Sequence, residues 1–285
     1  MFLRTIALLS LFALASVVSA ADRNDAAAEN LGFKLSLQAW TCHHTSLWET
    51  IDVAQSVGIK YLEMYPGQTI GGGIEGKFDH NSSADVRAKV LARLTEAGIK
   101  VVSYGVCGLS AKESDTRKVF EFAKAMGIMV LVSEPKADAF DTIEKLVKEF
   151  DIKVGIHEHK KPNPYWDPAM VVAAVKGRDP RFGACADTGH WARSSLVPID
   201  CLKVLNGIIM SAHLKETDKI GDGAKDVVYG TGASDVKGQL AEFKRQGFRG
   251  IMSLEYEAGK KGQELLTDLK TMVAYFDTVT TDLAK

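Results

Sequence analysis

One rhythm constrains this chain more than any other feature. Short apolar runs alternate with stretches whose apolar residues recur at helical spacing, eight times over, in units of roughly thirty residues. The runs occupy 35–40, 59–65, 99–106, 128–133, 153–157, 182–187, 208–214 and 251–256. Helix signals lie between them, such as Val119, Phe122, Ala123 and Met126, or Ile143, Leu146, Val147 and Phe150. Ser82-Ser83 and Asp167-Pro168 read as helix starts, and Gly58, Gly98, Gly127 and Gly247 as stops. Strands that alternate with helices predict a parallel sheet. Eight such units in 285 residues predict an α/β fold, a single (β/α)8 TIM barrel, for which ~250 residues is typical. An open doubly wound sheet would carry a glycine-rich phosphate fingerprint after its first strand. Here the first run leads into Thr41-Cys42-His43-His44 instead. The segments 66–83, with Gly71-Gly72-Gly73, and 221–232 read as loops.

The barrel domain is expected over 34–285. Residues 1–20 read as a signal peptide, with Arg4 ahead of an apolar core at 6–14 and Val18-Ser19-Ala20 as the cleavage site. That core is too short for a comfortable membrane span. Residues 21–33 read as a flexible leader. The expected mature protein is therefore exported, periplasmic or extracellular, with no membrane association once the signal is removed. A formal net charge of -1 gives no electrostatic case for nucleic acid or an anionic membrane as partner. Export permits disulfides, but Cys42, Cys107, Cys185 and Cys201 are far apart and their spacing assigns no pairing. Cys185, inside an apolar run, reads as a small core residue.

The chemistry gathers where the last four runs end. They close on His157-Glu158-His159, on Asp187-Thr188-Gly189-His190-Trp191, on His213-Leu214-Lys215 and on Glu255-Tyr256-Glu257. An acid at the end of a buried strand is costly unless something pairs with it. In a barrel, C-terminal strand ends build the active site. Residues two apart on a strand share a face, so His157 and His159, His213 and Lys215, and Glu255 and Glu257 point together. Taken singly, Asp187 is also a helix N-cap candidate and Glu255 a salt-bridge partner for Lys215. Taken together, His157, Asp187, His213 and Glu255 form a two-His, two-carboxylate metal set. Mixed imidazole and carboxylate ligation suits Mn, Co, Zn, Fe or Ni better than Ca or Mg. The candidate catalytic groups are Glu255, Glu134, His159, Lys215 and His190, with Glu63 as a further strand-end acid. Trp40, Trp166 and Trp191 are candidates to stack on a sugar face.

These motifs, with Gly230-Thr231-Gly232 ahead of Asp235, resemble the xylose-isomerase-like TIM barrel proteins of the sugar phosphate isomerase/epimerase family. The resemblance covers nearly all of the chain after residue 20. It implies one divalent metal held by His157, Asp187, His213 and Glu255, and a small carbohydrate substrate. Ketose epimerases of the family place Glu where His157 stands, so only one of their two proton-exchanging Glu, at Glu255, is kept. The repair-nuclease branch implies extra His ligands that this chain lacks, with no His between His80 and His157 and none after His213. The expected function is an exported, metal-dependent sugar isomerase/epimerase working through a metal-stabilised enediolate. Two alternatives stay open: a keto-sugar or keto-glycoside lyase or hydratase on the same metal site, and a non-catalytic exported sugar-binding barrel.

Overall fold

The computed structural model describes residues 23–285, and the expected signal peptide at 1–20 lies outside them. Eight parallel strands close a barrel: β1 (Phe33–Gln38), β2 (Tyr61–Met64), β5 (Lys100–Tyr104), β6 (Val130–Ser133), β7 (Lys153–His157), β8 (Phe182–Asp187), β9 (Ile209–Leu214) and β10 (Gly250–Leu254), each beside the next, with β10 against β1. Between β2 and β5 an antiparallel hairpin projects, formed by β3 (Gln68–Gly71) and β4 (Ile74–Phe78). The helices are α1 (Ala26–Leu31), α2 (Leu47–Ser56), α3 (Ala84–Glu96), α4 (Glu113–Met126), α5 (Phe140–Phe150), α6 (Pro168–Val175), α7 (Thr188–Arg193), α8 (Pro198–Val204), α9 (Val236–Arg245) and α10 (Gly262–Leu283). The strand–helix rhythm of the sequence is thus borne out as a closed TIM barrel.

Local chemistry explains the boundaries. Ser46 and Glu49 form a reciprocal capping box on α2, Ser83 caps α3, and Asp167 caps α6 with Pro168 at the first helical position. The apolar faces of the helices pack on the outside of the barrel in one large cluster that includes Leu37, Leu62, Phe120, Leu146, Leu202, Leu240 and Phe276. Each such side chain contributes ~1.5–3 kcal/mol when fully buried. A separate cluster, Val102, Val130, Val132, Cys185, Met210 and Ile251, comes from barrel strands alone. It places Cys185 in the core, as its sequence context indicates. All four cysteines are free and buried.

Three segments differ from the sequence reading. The leader at 21–33 is not loose from Arg23 onward. Ala26–Leu31 is helical, Ala28 is buried, and Arg23 Nη2 donates to Asp277 Oδ1 on α10 at 2.6 Å. The loop at 66–83 holds the β3–β4 hairpin, whose turn is Gly71-Gly72-Gly73. Glycine content hid these strands, yet the turn needs it. At Gly71, φ is 84° and a Cβ would lie 2.6 Å from Ser46 Oγ. The stretch after Asp187, where the sequence offers an N-cap candidate but no helical periodicity, is a short helix, α7. Among the described residues no helix is long and apolar enough to cross a membrane.

Candidate active site

The register of the last strands brings the polar ends level. Asp187 at the end of β8 pairs with His213 on β9, and His157 at the end of β7 pairs with Cys185. One donor atom from each of His157, Asp187 and His213 lies within 4.8 Å of the others. Nε2 of His157 and Nδ1 of His213 are each 3.4 Å from Asp187 Oδ2. Glu255, one residue past β10, joins through Oε2, 2.9 Å from His213 Nδ1. The structure therefore gathers all four residues of the expected metal set at one place.

Asp187 fills both roles weighed for it. Its Oδ1 accepts from the His190 backbone N–H at 2.8 Å and caps α7, while Oδ2 faces the cluster. Lys215 is fully buried, with Nζ 2.9 Å from Asp187 Oδ2, 2.9 Å from Glu255 Oε2 and 3.0 Å from Glu257 Oε2. Its aliphatic stem passes Gly189 so closely that a Cβ there would sit 2.5 Å from Lys215 Cδ. Arg193 pairs with Asp226 and Glu257 behind Lys215.

Burial alone pushes the Asp187 carboxyl up, but His190, Lys215, His157 and His213 outweigh it and hold it well below the usual range. Burial likewise pushes Glu255 up, and Lys215 and His213 outweigh it downward. Lys215 is held far above its ordinary value because Asp187, Glu255 and Glu257 overcome the burial that would lower it. Burial, with Lys215 and His157 adding to it against Asp187, drives His190 well down.

The donor set fits a divalent cation. Glu63 Oε1, from β2, lies 3.0 Å from His213 Nε2, and Glu63 has no proton to give when ionised, so Nε2 donates. His213 Nδ1 is then left facing Glu255 Oε2, and these two buried atoms make no hydrogen bond. Their 2.9 Å separation calls for positive charge at that point, supplied by a proton on the ring, whose pKa, against burial, Glu63 and Glu255 hold well above its ordinary value, or by a cation in its place. Lys215 supplies part of that charge by ionic contact. Six acids (Glu63, Glu134, Asp187, Asp226, Glu255 and Glu257) still outnumber Lys215 and Arg193.

The cluster forms one side of a cavity of about 400 Å³. His159, His190, Glu134 and Glu257 line that side, and Trp40, Tyr65, Pro66 and Val106 line the other. Trp40 is 41% exposed and stacks on His43, with Tyr65 edge-on at 5.0 Å. Of the three tryptophans singled out in the sequence, only Trp40 lines this cavity. Trp191 is fully buried, and Trp166 lies under Lys161 Nζ at 3.8 Å. A larger cleft at the other end of the barrel, lined by Lys34, Lys124, Lys153, Arg181 and Arg249, contains none of the candidate residues.

Glu134 is not a free base. Its Oε1 accepts from His157 Nδ1 at 2.8 Å and its Oε2 from Asn163 Nδ2 at 2.6 Å. His159 lies 4.0 Å from His190, ring to ring, and makes no hydrogen bond among the described residues. Glu63, read from sequence as a strand-end acid, is fully buried against His213. No local pattern in the sequence signals that pairing, because it spans 150 residues and exists only once the barrel closes.

The chain belongs to the xylose isomerase-like TIM barrel family, whose profile matches residues 51–275. It is similar to the crystal structure of an uncharacterized protein from Parabacteroides distasonis ATCC 8503, with 33% identity over 87% of this chain and 99% of that one and a TM-score of 0.70. More distant likenesses show the shared fold. An L-ribulose 3-epimerase is 12% identical, with 87% and 94% of the two chains covered and a TM-score of 0.64. An IolI protein with a bound zinc atom is 15% identical, with 87% and 98% covered and a TM-score of 0.62. Comparison with curated proteins gives no match.

Proposed function

We propose that this protein is an exported, divalent-metal-dependent sugar isomerase or epimerase that moves a proton beside a carbonyl. The reading rests on one observation: His157, Asp187, His213 and Glu255 converge at the edge of a 400 Å³ cavity on the C-terminal face of the barrel. A divalent cation held by those four side chains would polarise a sugar carbonyl and a neighbouring hydroxyl and acidify the C–H between them. His159 takes that proton, because it alone among the imidazoles and carboxylates of the cavity wall is uncommitted. His190 lines the cavity with Arg193 Nη1 3.5 Å from its Nδ1 and with Nε2 3.9 Å from Asp187 Oδ2, so it would steady a substrate oxygen beside that carboxylate. Lys215 holds the carboxylates in place from behind. Glu134 acts through His157 rather than as a base.

The cavity wall carries Glu134, Glu255 and Glu257 and no Lys or Arg. That charge favours an unphosphorylated sugar, whose apolar face suits Trp40 and Tyr65. One uncommitted base suits proton movement on one face, as in isomerisation between adjacent carbons. The same observation favours a second reading, loss of a β-substituent from a keto-sugar or keto-glycoside. A barrel that only bound sugar would not need this many carboxylates buried together, given what each costs.

The test is incubation of the metal-loaded protein with unphosphorylated ketoses and keto-glycosides in deuterated water. Deuterium should enter next to the carbonyl, and His159→Ala should slow that exchange ~10²–10⁴-fold while metal content stays unchanged. Exchange without bond cleavage selects the isomerase, and cleavage selects the lyase. No exchange with any of these sugars overturns both. Metal content that survives Asp187→Ala or His213→Ala overturns the site. Export predicts that protein recovered from its native cells begins near Ala21.

A further inference from the structure

Glu63 is a fully buried carboxylate, and its ion-pair partner among the described residues is His213, with no Lys or Arg beside it. Its Oε1 is 3.0 Å from His213 Nε2, and its Oε2 accepts from Ser253 Oγ. Ser253 Oγ lies 2.6 Å from Ser36 Oγ, and since Ser253 spends its proton on Glu63, Ser36 donates to Ser253. All four residues are buried to 1% exposure or less. The chain of donors runs one way, from Ser36 through Ser253 to Glu63, and His213 meets it from the other side. A buried carboxylate is costly unless it is paired and hydrogen-bonded, and here the imidazole and the hydroxyl are its partners.

The consequence falls on His213. With its Nε2–H committed to Glu63, the ring turns Nδ1 toward Asp187 Oδ2 and Glu255 Oε2, 3.4 and 2.9 Å away, the position from which a bound cation would take it as a ligand. The opposite tautomer would place a proton where the cation is expected. We propose that Glu63 is a positioning residue that fixes the tautomer and orientation of His213 and so sets the affinity of the cluster for a divalent cation. Ser253 and Ser36 keep the Glu63 carboxylate aimed. The proposal rests on the reading that His157, Asp187, His213 and Glu255 hold a metal. Partners of this kind are worth ~10–100-fold in metal affinity.

The experiment compares wild type with Glu63→Gln and Ser253→Ala. Zinc and cobalt affinities are measured by competition with a chromophoric chelator, and the visible spectrum of the cobalt form is recorded. In the metal-free proteins, nitrogen-15 NMR follows the His213 ring protons. Thermal melts identify variants that are simply unfolded. Glu63→Gln should weaken metal binding ~10–100-fold and shift the cobalt spectrum. It should also remove the downfield Nε2–H resonance that a carboxylate partner produces, and Ser253→Ala should do the same to a smaller degree. A folded Glu63→Gln that binds metal within twofold of wild type and keeps its Nε2–H signal overturns the proposal. If wild type binds no metal, the metal reading itself fails. The Nε2–H signal then decides alone, its absence in wild type counting against Glu63 and its loss in Glu63→Gln counting for it.

Discussion

Lys215 is the residue on which the charge balance of the cleft turns. It is fully buried and shared by Asp187, Glu255 and Glu257, so replacing it leaves three carboxylates without their nearest cation. Lys215→Met, close in length, should destabilise the metal-free protein by about 3–5 kcal/mol in urea unfolding, and added zinc should recover part of the loss. A loss below about 1 kcal/mol would show that the acids balance their charge elsewhere. At this scale the sequence was partly legible. Side-chain alternation on strands correctly put His157 with His159 and His213 with Lys215 on one face. Glu158, between two histidines in sequence, is turned the other way and fully buried, and burial pushes its carboxyl well up. What the sequence hid was commitment. Glu134 and Glu63 read as free acids, and both are engaged by the imidazoles of His157 and His213.

At the scale of elements, the loop between β9 and α9 is pinned by one side chain. Glu216, fully buried, accepts backbone N–H groups from Gly230, Ser234, Asp235 and Val236 at 3.2, 2.8, 3.0 and 3.3 Å. Glu216→Ala leaves these donors without their acceptor, so their amides should exchange with solvent at least tenfold faster while amides of β9 stay protected. The turn between α6 and β8 shows the same logic at the surface. Arg181, through its side chain and its backbone N–H, brings Asp179 down to about 2. A carboxyl lowered in the folded state stabilises above its unfolded value of about 4 and loses that contribution as pH falls toward 2. Asp179→Asn should therefore be slightly less stable than wild type above pH ~4 and converge on it as pH falls toward 2, by a small amount because surface pairs are worth little. Strand and helix positions were readable because apolar periodicity is local. The hairpin and α7 were not, because glycine carries no hydrophobic signal and a six-residue helix begins on a residue that also belongs to the site.

For the whole molecule, the barrel sorts its functions by end and its thiols by depth. Cys42, Cys107, Cys185 and Cys201 are all buried, and burial pushes the Cys42 and Cys107 thiols up to about 12. Native protein should resist alkylation at pH 8, and all four thiols should react in denaturant. Fast native reaction at any of them would mean that the packing opens on that timescale. That His157, Asp187, His213 and Glu255 would meet was legible across the molecule because strand order in a barrel follows chain order, so consecutive strand ends must be neighbours.

Asp187 uses one oxygen to cap α7 and the other to face the ion cluster. The helix and the cluster therefore share a hinge pin of a few atoms. Any shift of the Asp187 carboxylate is passed to His190 and Trp191 along α7. Should a cation bind there, the backbone amides of that short segment would be clamped more firmly, and their exchange rates would report it some distance from the carboxylate.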